Sequence, residues 1–454
     1  MTLIEPKKKR KAYIVISGLI ISVTLAISLD VPLYFAILST VILAYTLSTH
    51  KADVPELVLH NLIAIRKTVI LLFLISITLP LMMGCGALPT FIVHFSEMMI
   101  GQNLLLAAFV LATLLSMLLG TAIGTLTILI PLFMSLAFQM DIALPLLTGA
   151  LLSGAYFGDR TSPLASGLHL ASSVTHTDFR KNMPLLLKSS IIPYVITLII
   201  FYMMGKPFII DAQMLIQNTV IATVFGIKFY LLLPLIMMIL LLIFKVPINR
   251  VLTLVAITSA FLLYAKGAAT RELVDYMLYG YHTDHLILGS MLKTTGLFSM
   301  VNVLLVILLS ACLNGILEAD LLIDVIIEPF MKNVKTEAQL IRNTALLGLV
   351  LSMITCSQAM TAMITGKYLK DKYDAFQVPR SLLVMAIANV GLNVVGLIPW
   401  NVNGLVIKQL TGISAVQYVP FTFFLTLLSL FTILIYPFWR PFMHKSAKTI
   451  KEIT

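Results

Sequence analysis

Ser153-Gly-Ala-Tyr-Phe-Gly-Asp-Arg-Thr-Ser-Pro163 is the stretch on which the fold turns. Hydrophobic residues lead into it from Ile142 and resume directly after it, so Asp159 and Arg160 stand inside an apolar block. A helix that ends at Gly158 there frees backbone groups that hydrocarbon cannot satisfy, and these are tolerated only against protein or a water-filled cavity. The break supplies carbonyls for a cation, and the start of the next helix supplies N–H groups for an anion. Ser162-Pro163 reads as an N-cap with Pro at the first helical position. The plainer alternative is a connecting turn in which Asp159 pairs with Arg160 among lipid headgroups.

The rest of the chain sets this stretch in a membrane. Of 454 residues, 59% are apolar and 11% charged, against about a quarter charged in soluble domains. At about 20 residues per span, the length allows roughly ten to thirteen crossings and little else. The expectation is an all-α polytopic membrane protein with two structural repeats and broken or re-entrant helices. The net charge of +11 reflects Lys and Arg at the edges of apolar blocks, which is positive-inside anchoring and no nucleic-acid surface. Lys7 to Lys11 precede an apolar run without an obvious cleavage site before Asp30, so they begin a retained first helix. Both termini are expected in the cytosol and the protein in the plasma membrane. Cys85, Cys312 and Cys356 lack metal-ligand spacing and read as small apolar fillers.

Charge-free stretches and basic clusters divide the chain. A cytosolic basic N-terminus (1–12) leads to a helical hairpin (13–50). Residues 54–67, with Val54, Leu57, Leu59, Leu62 and Ile63 at helical spacing, read as an interfacial amphipathic helix. A first transport repeat (68–205), connecting helices with a polar loop (206–293), a second repeat (294–439) and a cytosolic basic C-terminus (440–454) follow. Asn103–Met140 exceeds one crossing, and Gly120-Thr-Ala-Ile-Gly124 marks a break or a turn back. Gly391, Gly396 and Pro399 break Ser381–Ile407 in the same way.

The two halves align without a gap when Leu115 is placed on Leu351, an offset of 236 residues, which also pairs Thr121 with Ser357, Thr125 with Thr361 and Pro163 with Pro399. Polar residues at membrane depth gather on this frame. Asn389, Asn393 and Asn401 need partners, because an unsatisfied amide costs several kcal/mol in hydrocarbon; they bond neighbouring helices or face a solute. Thr121, Thr125, Thr161, Ser162, Ser357, Gln358 and Thr361 carry the same two readings. His169 could relay protons or be a satisfied structural group. Glu318, Asp320, Asp324 and Glu328 recur at helical spacing as the wetted face of an interfacial helix.

Gly154-Ala-Tyr-Phe-Gly-Asp-Arg-Thr-Ser-Pro-Leu164 resembles the signature of the NhaC family of sodium/proton antiporters. Gly396-Leu-Ile-Pro-Trp-Asn401, Leu410-Thr-Gly-Ile-Ser-Ala415, Tyr418-Val-Pro-Phe421 and Leu81-Met-Met-Gly-Cys-Gly-Ala-Leu-Pro89 are similar to further parts of that family, from about Leu81 to Phe421. The resemblance implies a two-repeat exchanger driven by sodium or proton gradients, in a superfamily that also holds carboxylate carriers and a malate/lactate antiporter. The chain departs from the family where acidic residues are expected, at Ser166, Ala388 and Asn389. Its metabolic partners are then the lipid bilayer and the transported ion or small solute, with no cofactor beyond Na+ and H+ as cargo; a homodimer stays open. Two functions compete: exchange of a monovalent cation, Na+ first, for H+ with Asp159 as the titrating ligand, or coupled transport of a small organic acid or amino acid. No HExxH, nucleophile elbow or phosphate loop interrupts the apolar core, so an enzyme is not expected.

Overall fold

The computed structural model describes residues 6–435 except 140–141, 208–211, 284, 286–287, 289–291, 293 and 321; the basic C-terminus lies outside the described residues. Among the described residues the protein is all α, with seven helices long and apolar enough to cross a membrane, or nine if two sharply bent pairs each count as one span. Leu33–Leu47, Leu104–Leu119 and Ala122–Met134 are apolar but short.

The first half runs α1 (Pro6–Ser28), α2 (Leu33–Leu47), α3 (Val54–Gly84), α4 (Ala87–Met98), α5 (Leu104–Leu119), α6 (Ala122–Gln139), α7 (Leu144–Thr161), α8 (Ser166–Val174) and α9 (Phe179–Met204). Connecting helices α10 (Ala212–Phe225), α11 (Leu233–Ile243), α12 (Ile248–Ala265) and α13 (Thr270–Tyr279) lead to the second half. That half runs α14 (Leu297–Ala319), α15 (Leu322–Met331), α16 (Glu337–Thr355), α17 (Gln358–Ala375), α18 (Arg380–Ala386), α19 (Val402–Thr411), α20 (Ala415–Tyr418) and α21 (Phe423–Leu430). No helix boundary falls after Lys67. Residues 54–67 are the first half of the 31-residue α3, about 46 Å at ~1.5 Å per residue against a hydrocarbon core of about 30 Å.

The 236-residue offset recurs element by element. It carries Gly120, the left-handed residue that ends α5 (φ 68°), onto Cys356, the left-handed residue that ends α16 (φ 53°). It also carries Leu144–Thr161 onto the span Arg380–Leu397, and the start of α8 at Ser166 onto the start of α19 at Val402. A side chain in the left-handed region costs roughly 1–2 kcal/mol, so the second half keeps this bend without glycine.

Each repeat is a hairpin beside a broken helix. Gly154 faces Phe109 and Gly158 faces Ser116, so α5 and α7 run parallel. Ala122 begins α6 at the far end of α7, where Asp159 lies, and α6 ends next to the start of α7. Hence α6 runs back along α5. In the second half Tyr373 near the end of α17 donates to Thr344 near the start of α16 (3.0 Å), which fixes the same turn back. The tips are Gly120-Thr121 and Cys356-Ser357.

The hairpins enter from opposite faces. Arg380, at the mouth of the second, donates to Thr175 O (3.2 Å) just before α9 begins. Asn103, at the mouth of the first, donates to Phe201 O and Tyr202 O near the end of α9 (3.3 and 3.0 Å). Since α9 is 26 residues long, about 39 Å, the mouths lie a membrane apart and the repeats are inverted.

The acidic face read from the sequence is matched by the basic N-terminus. Lys9 pairs with Glu328 (2.6 Å), Lys8 with Asp324 (3.9 Å), and Lys11 and His50 with buried Asp320 (3.4 and 3.2 Å). Burial pushes the Asp320 carboxyl up, but bonds from His50 and the Thr49 N–H and hydroxyl outweigh it and hold it below the ordinary range. A depressed pKa means a stabilising contribution that is complete above the unfolded value, about 3.9, and lost as pH falls through the folded value. Hydrogen exchange of residues 6–28, corrected for intrinsic rates, is expected to rise only as pH falls below about 4; an unchanged profile there would show that Asp320 does not hold α1.

Candidate ion and solute site

Asp159 sits in the last turn of α7, 7% exposed. The helix runs past the expected stop at Gly158 to Thr161, because Gly154 and Gly158 let α7 lie directly on the α5 backbone. Ser162 is accordingly the C-cap of α7 and no N-cap. Its Oγ donates to Met117 O (2.7 Å), and α8 begins only at Ser166.

The carboxylate joins the two hairpin tips. Oδ1 accepts from the N–H of Ala122, first residue of α6 (3.1 Å), and Oδ2 accepts from Nε2 of Gln358, first residue of α17 (2.9 Å). Gln358 Nε2 also donates to Leu392 O in the broken part of the second repeat (3.1 Å). One negative charge therefore lies at the N-terminal ends of two half-helices, where unpaired N–H groups and the helix dipole favour it.

Arg160 points the other way, since neighbouring residues on a helix do not share a face. It is 1% exposed. Nη1 donates to Ser190 Oγ (3.0 Å), Nη2 to Leu186 O (3.1 Å) and Ser189 Oγ (3.3 Å), and Nε has no partner. Among the described residues no acidic side chain pairs with it. The Asp159–Arg160 headgroup pair is thus absent. Asn389 closes this second cluster: its Nδ2 donates to Thr432 Oγ1 (2.9 Å) and Ser189 Oγ (3.3 Å). A carboxylate at 389 would stand one hydroxyl away from the guanidinium, and Asn leaves Arg160 without that counter-charge.

The other sequence candidates are spread around this junction. Asn393 donates to Leu425 O (2.9 Å) and Ser429 Oγ (3.3 Å), with its buried Oδ1 unpartnered. Asn401 caps α19 and donates to Ser352 O (3.0 Å). Thr121 follows the first tip; Thr125 returns a bond to Thr121 O (2.9 Å), Thr361 to Ser357 O (2.9 Å), and Thr161 to Phe157 O, each within its own helix. Ser357 caps α17. His169 is exposed on α8, its Nε2 2.9 Å from Pro163 O and its ring against Phe179, with no bond to Asp159. The sequence reading gave Tyr156 no role and took Arg160 only as a partner for Asp159. Asn403 donates to the buried Tyr156 hydroxyl (3.0 Å), tying the break of the second repeat to α7. The available signal was an adjacent Asp and Arg in an apolar block, whose side chains on one helix cannot serve the same neighbour.

Known proteins are similar to this chain in sequence. The Na+/H+ antiporter family matches residues 154–439. The chain is 26% identical over 422 residues to the malate-2H(+)/Na(+)-lactate antiporter of Bacillus subtilis strain 168, covering 90% of each chain. It is 26% identical over 380 residues to the Na(+)/H(+) antiporter NhaC of the same organism, covering 81% of this chain and 83% of that one. It is also 27% identical over 400 residues to the arginine/ornithine antiporter ArcD of Halobacterium salinarum, covering 85% and 81%. With a matched stretch spanning the Asp159 junction and the whole second repeat, this multi-pass membrane protein belongs to the Na+/H+ antiporter family and is a secondary transporter.

Proposed function

We propose that the protein is a proton-coupled antiporter in which Asp159 carries the proton and exchanges it for a monovalent cation, Na+ first. The observation that supports this reading is a single buried carboxylate whose two oxygens accept from the tips of two inverted hairpins. Protonation removes the charge that holds the Ala122 N–H and the Gln358 amide, so occupancy of Asp159 and the contact between the repeats change together. Thr121, Thr161 and Ser162 supply nearby oxygens on the first repeat; Ser357, Thr361, Asn393 and Asn401 supply them on the second. The basic cluster Lys7–Lys11 supports a reading with the N-terminus in the cytosol and the protein in the plasma membrane.

A second reading is favoured by Arg160, a buried guanidinium without a carboxylate partner, as a binder of a small organic acid or amino-acid carboxylate. Purified protein in liposomes with an internal pH dye separates the two. A pH change on adding Na+, K+ or Li+ supports the first. Silence with all three, and a response to malate, lactate or arginine, replaces it with the second.

A further inference from the structure

A cavity of about 590 Å³ lies where α2, α3, α6, α14 and α19 meet. At roughly 30 Å³ per molecule of liquid water it holds about 20 waters. Asp30, Ser299, Asn302, Lys408 and Gln409 give its wall hydrogen-bonding groups and one charge of each sign. It is placed along α6, which begins at the Asp159 junction, and α19, which begins at the break of the second repeat. Ala122, whose N–H holds Asp159, starts α6, and Ile130 and Met134 of α6 line the cavity. The eight residues from Ala122 to Ile130 span about 12 Å. Likewise α19 starts beside Asn401 and Asn403, which are bonded to Ser352 and Tyr156, and it lines the cavity through Leu405 and Lys408.

The floor is apolar. Val303, Val306 and Leu405 line the cavity and also belong to the buried cluster of Ile37, Leu72, Ile307 and Val406, against which Ile123 packs. Ile123 follows Ala122 directly, so this layer reaches from the cavity wall to the residue that bonds Asp159. Its face is opposite the basic one: α1 begins at Lys7–Lys11 and, 23 residues or about 35 Å later, delivers the chain to Asp30.

We propose that this cavity is the extracellular vestibule of the transport path, open to small hydrated ions, and that the Ile123–Val306–Leu405 layer is its closed gate. Because Asp30 and Lys408 put one charge of each sign on its wall, the vestibule admits ions of either sign and leaves selection to the junction beneath. The inference rests on the antiport reading for the path, but its first readout does not depend on transport. In intact cells, Asn302→Cys in the full chain is expected to react with membrane-impermeant thiol reagents added outside, at rates within about threefold for a cationic and an anionic reagent of similar size, as wall charges of both signs imply. The unsubstituted chain, with Cys85, Cys312 and Cys356, is the control. Labelling is expected to persist in Asp159→Asn/Asn302→Cys, so a failed site assignment leaves it intact. The labelled Asn302→Cys protein is expected to lose at least tenfold in exchange of whichever solute it moves. Thr295→Cys, from the same wall, replaces it if Asn302→Cys does not fold. No external labelling of protein that labels fully once denatured overturns the vestibule, as does full exchange by labelled protein; a tenfold preference for one reagent charge overturns the sign-neutral wall.

Discussion

Asp159→Asn is expected to abolish exchange while leaving a folded protein in the membrane. The two side chains have the same shape, and Asn keeps one oxygen to accept from either Ala122 N–H or Gln358 Nε2. Its NH2 must then face the other donor, which costs about 1–3 kcal/mol for a buried group left unpaired. That is a fraction of what a helical membrane protein of this size holds, so thermal unfolding in detergent is expected to fall by a few degrees and no more. Function is another matter. An amide neither takes up nor releases a proton, and Asp159 is the carboxylate that bonds the first residues of both α6 and α17. Initial rates of the liposome pH response, compared with the unsubstituted protein at equal folded amount, check this. Full exchange in Asp159→Asn would remove Asp159 from the proton path.

The membrane class, the repeat offset and the first hairpin turn were legible because hydrophobicity and small-residue punctuation are local signals. Gly120-Thr121 announced its turn by a glycine, whereas the turn at Cys356-Ser357, where no glycine stands, was not read from the sequence although the repeat offset pairs Ser357 with Thr121. Other features required the third dimension. That Gln358 reaches Asp159 follows from the meeting of two inverted hairpins, whose inversion depends on where α9 begins and ends. The stop expected at Gly158 was displaced three residues because glycine, read as a breaker, here permits close packing. Arg160 was hidden by its neighbour: on paper Asp-Arg looks like an ion pair, and on a helix the two diverge. The acidic residues at 318–328 read as a wetted face because nothing in the sequence links them to lysines some three hundred positions earlier.

The structure also divides the labour between two kinds of contact. Asp159 and Gln358 meet through one hydrogen bond between repeats, as do Asn403 and Tyr156. Within the first repeat, by contrast, Ser116 Oγ donates to Ala155 O and Ser162 Oγ to Met117 O, so α7 and its break are bound to the first hairpin along their length. Movement of one repeat against the other would then break the Gln358–Asp159 and Asn403–Tyr156 bonds, with those of Asn389 to Ser189 and Arg380 to Thr175, and carry Asp159 with the first hairpin.

Gly154→Val tests that rigid union, and almost no folded protein is expected from it. A Cβ at Gly154 would meet the Phe109 carbonyl oxygen, the Ala112 Cβ (2.8 Å) and the Thr113 nitrogen (2.9 Å), and two of these three are backbone atoms that no rotamer change can move. Forcing methyl groups into a packed core costs typically about 1–3 kcal/mol and more where backbone must shift. Valine adds three carbons, and α5 can only retreat by taking the hairpin tip and Ala122 away from Asp159. Gly226→Ala is the contrast: Gly226 has a φ of 60° and nothing near its missing Cβ, so only the roughly 1–2 kcal/mol of left-handed strain applies. Size-exclusion profiles of the two proteins extracted in mild detergent decide the matter, with Gly226→Ala expected as a single peak and Gly154→Val as aggregate or nothing. A monodisperse Gly154→Val that still exchanges ions would mean that α7 can separate from α5, and that Asp159 reaches the second hairpin without being carried by the first.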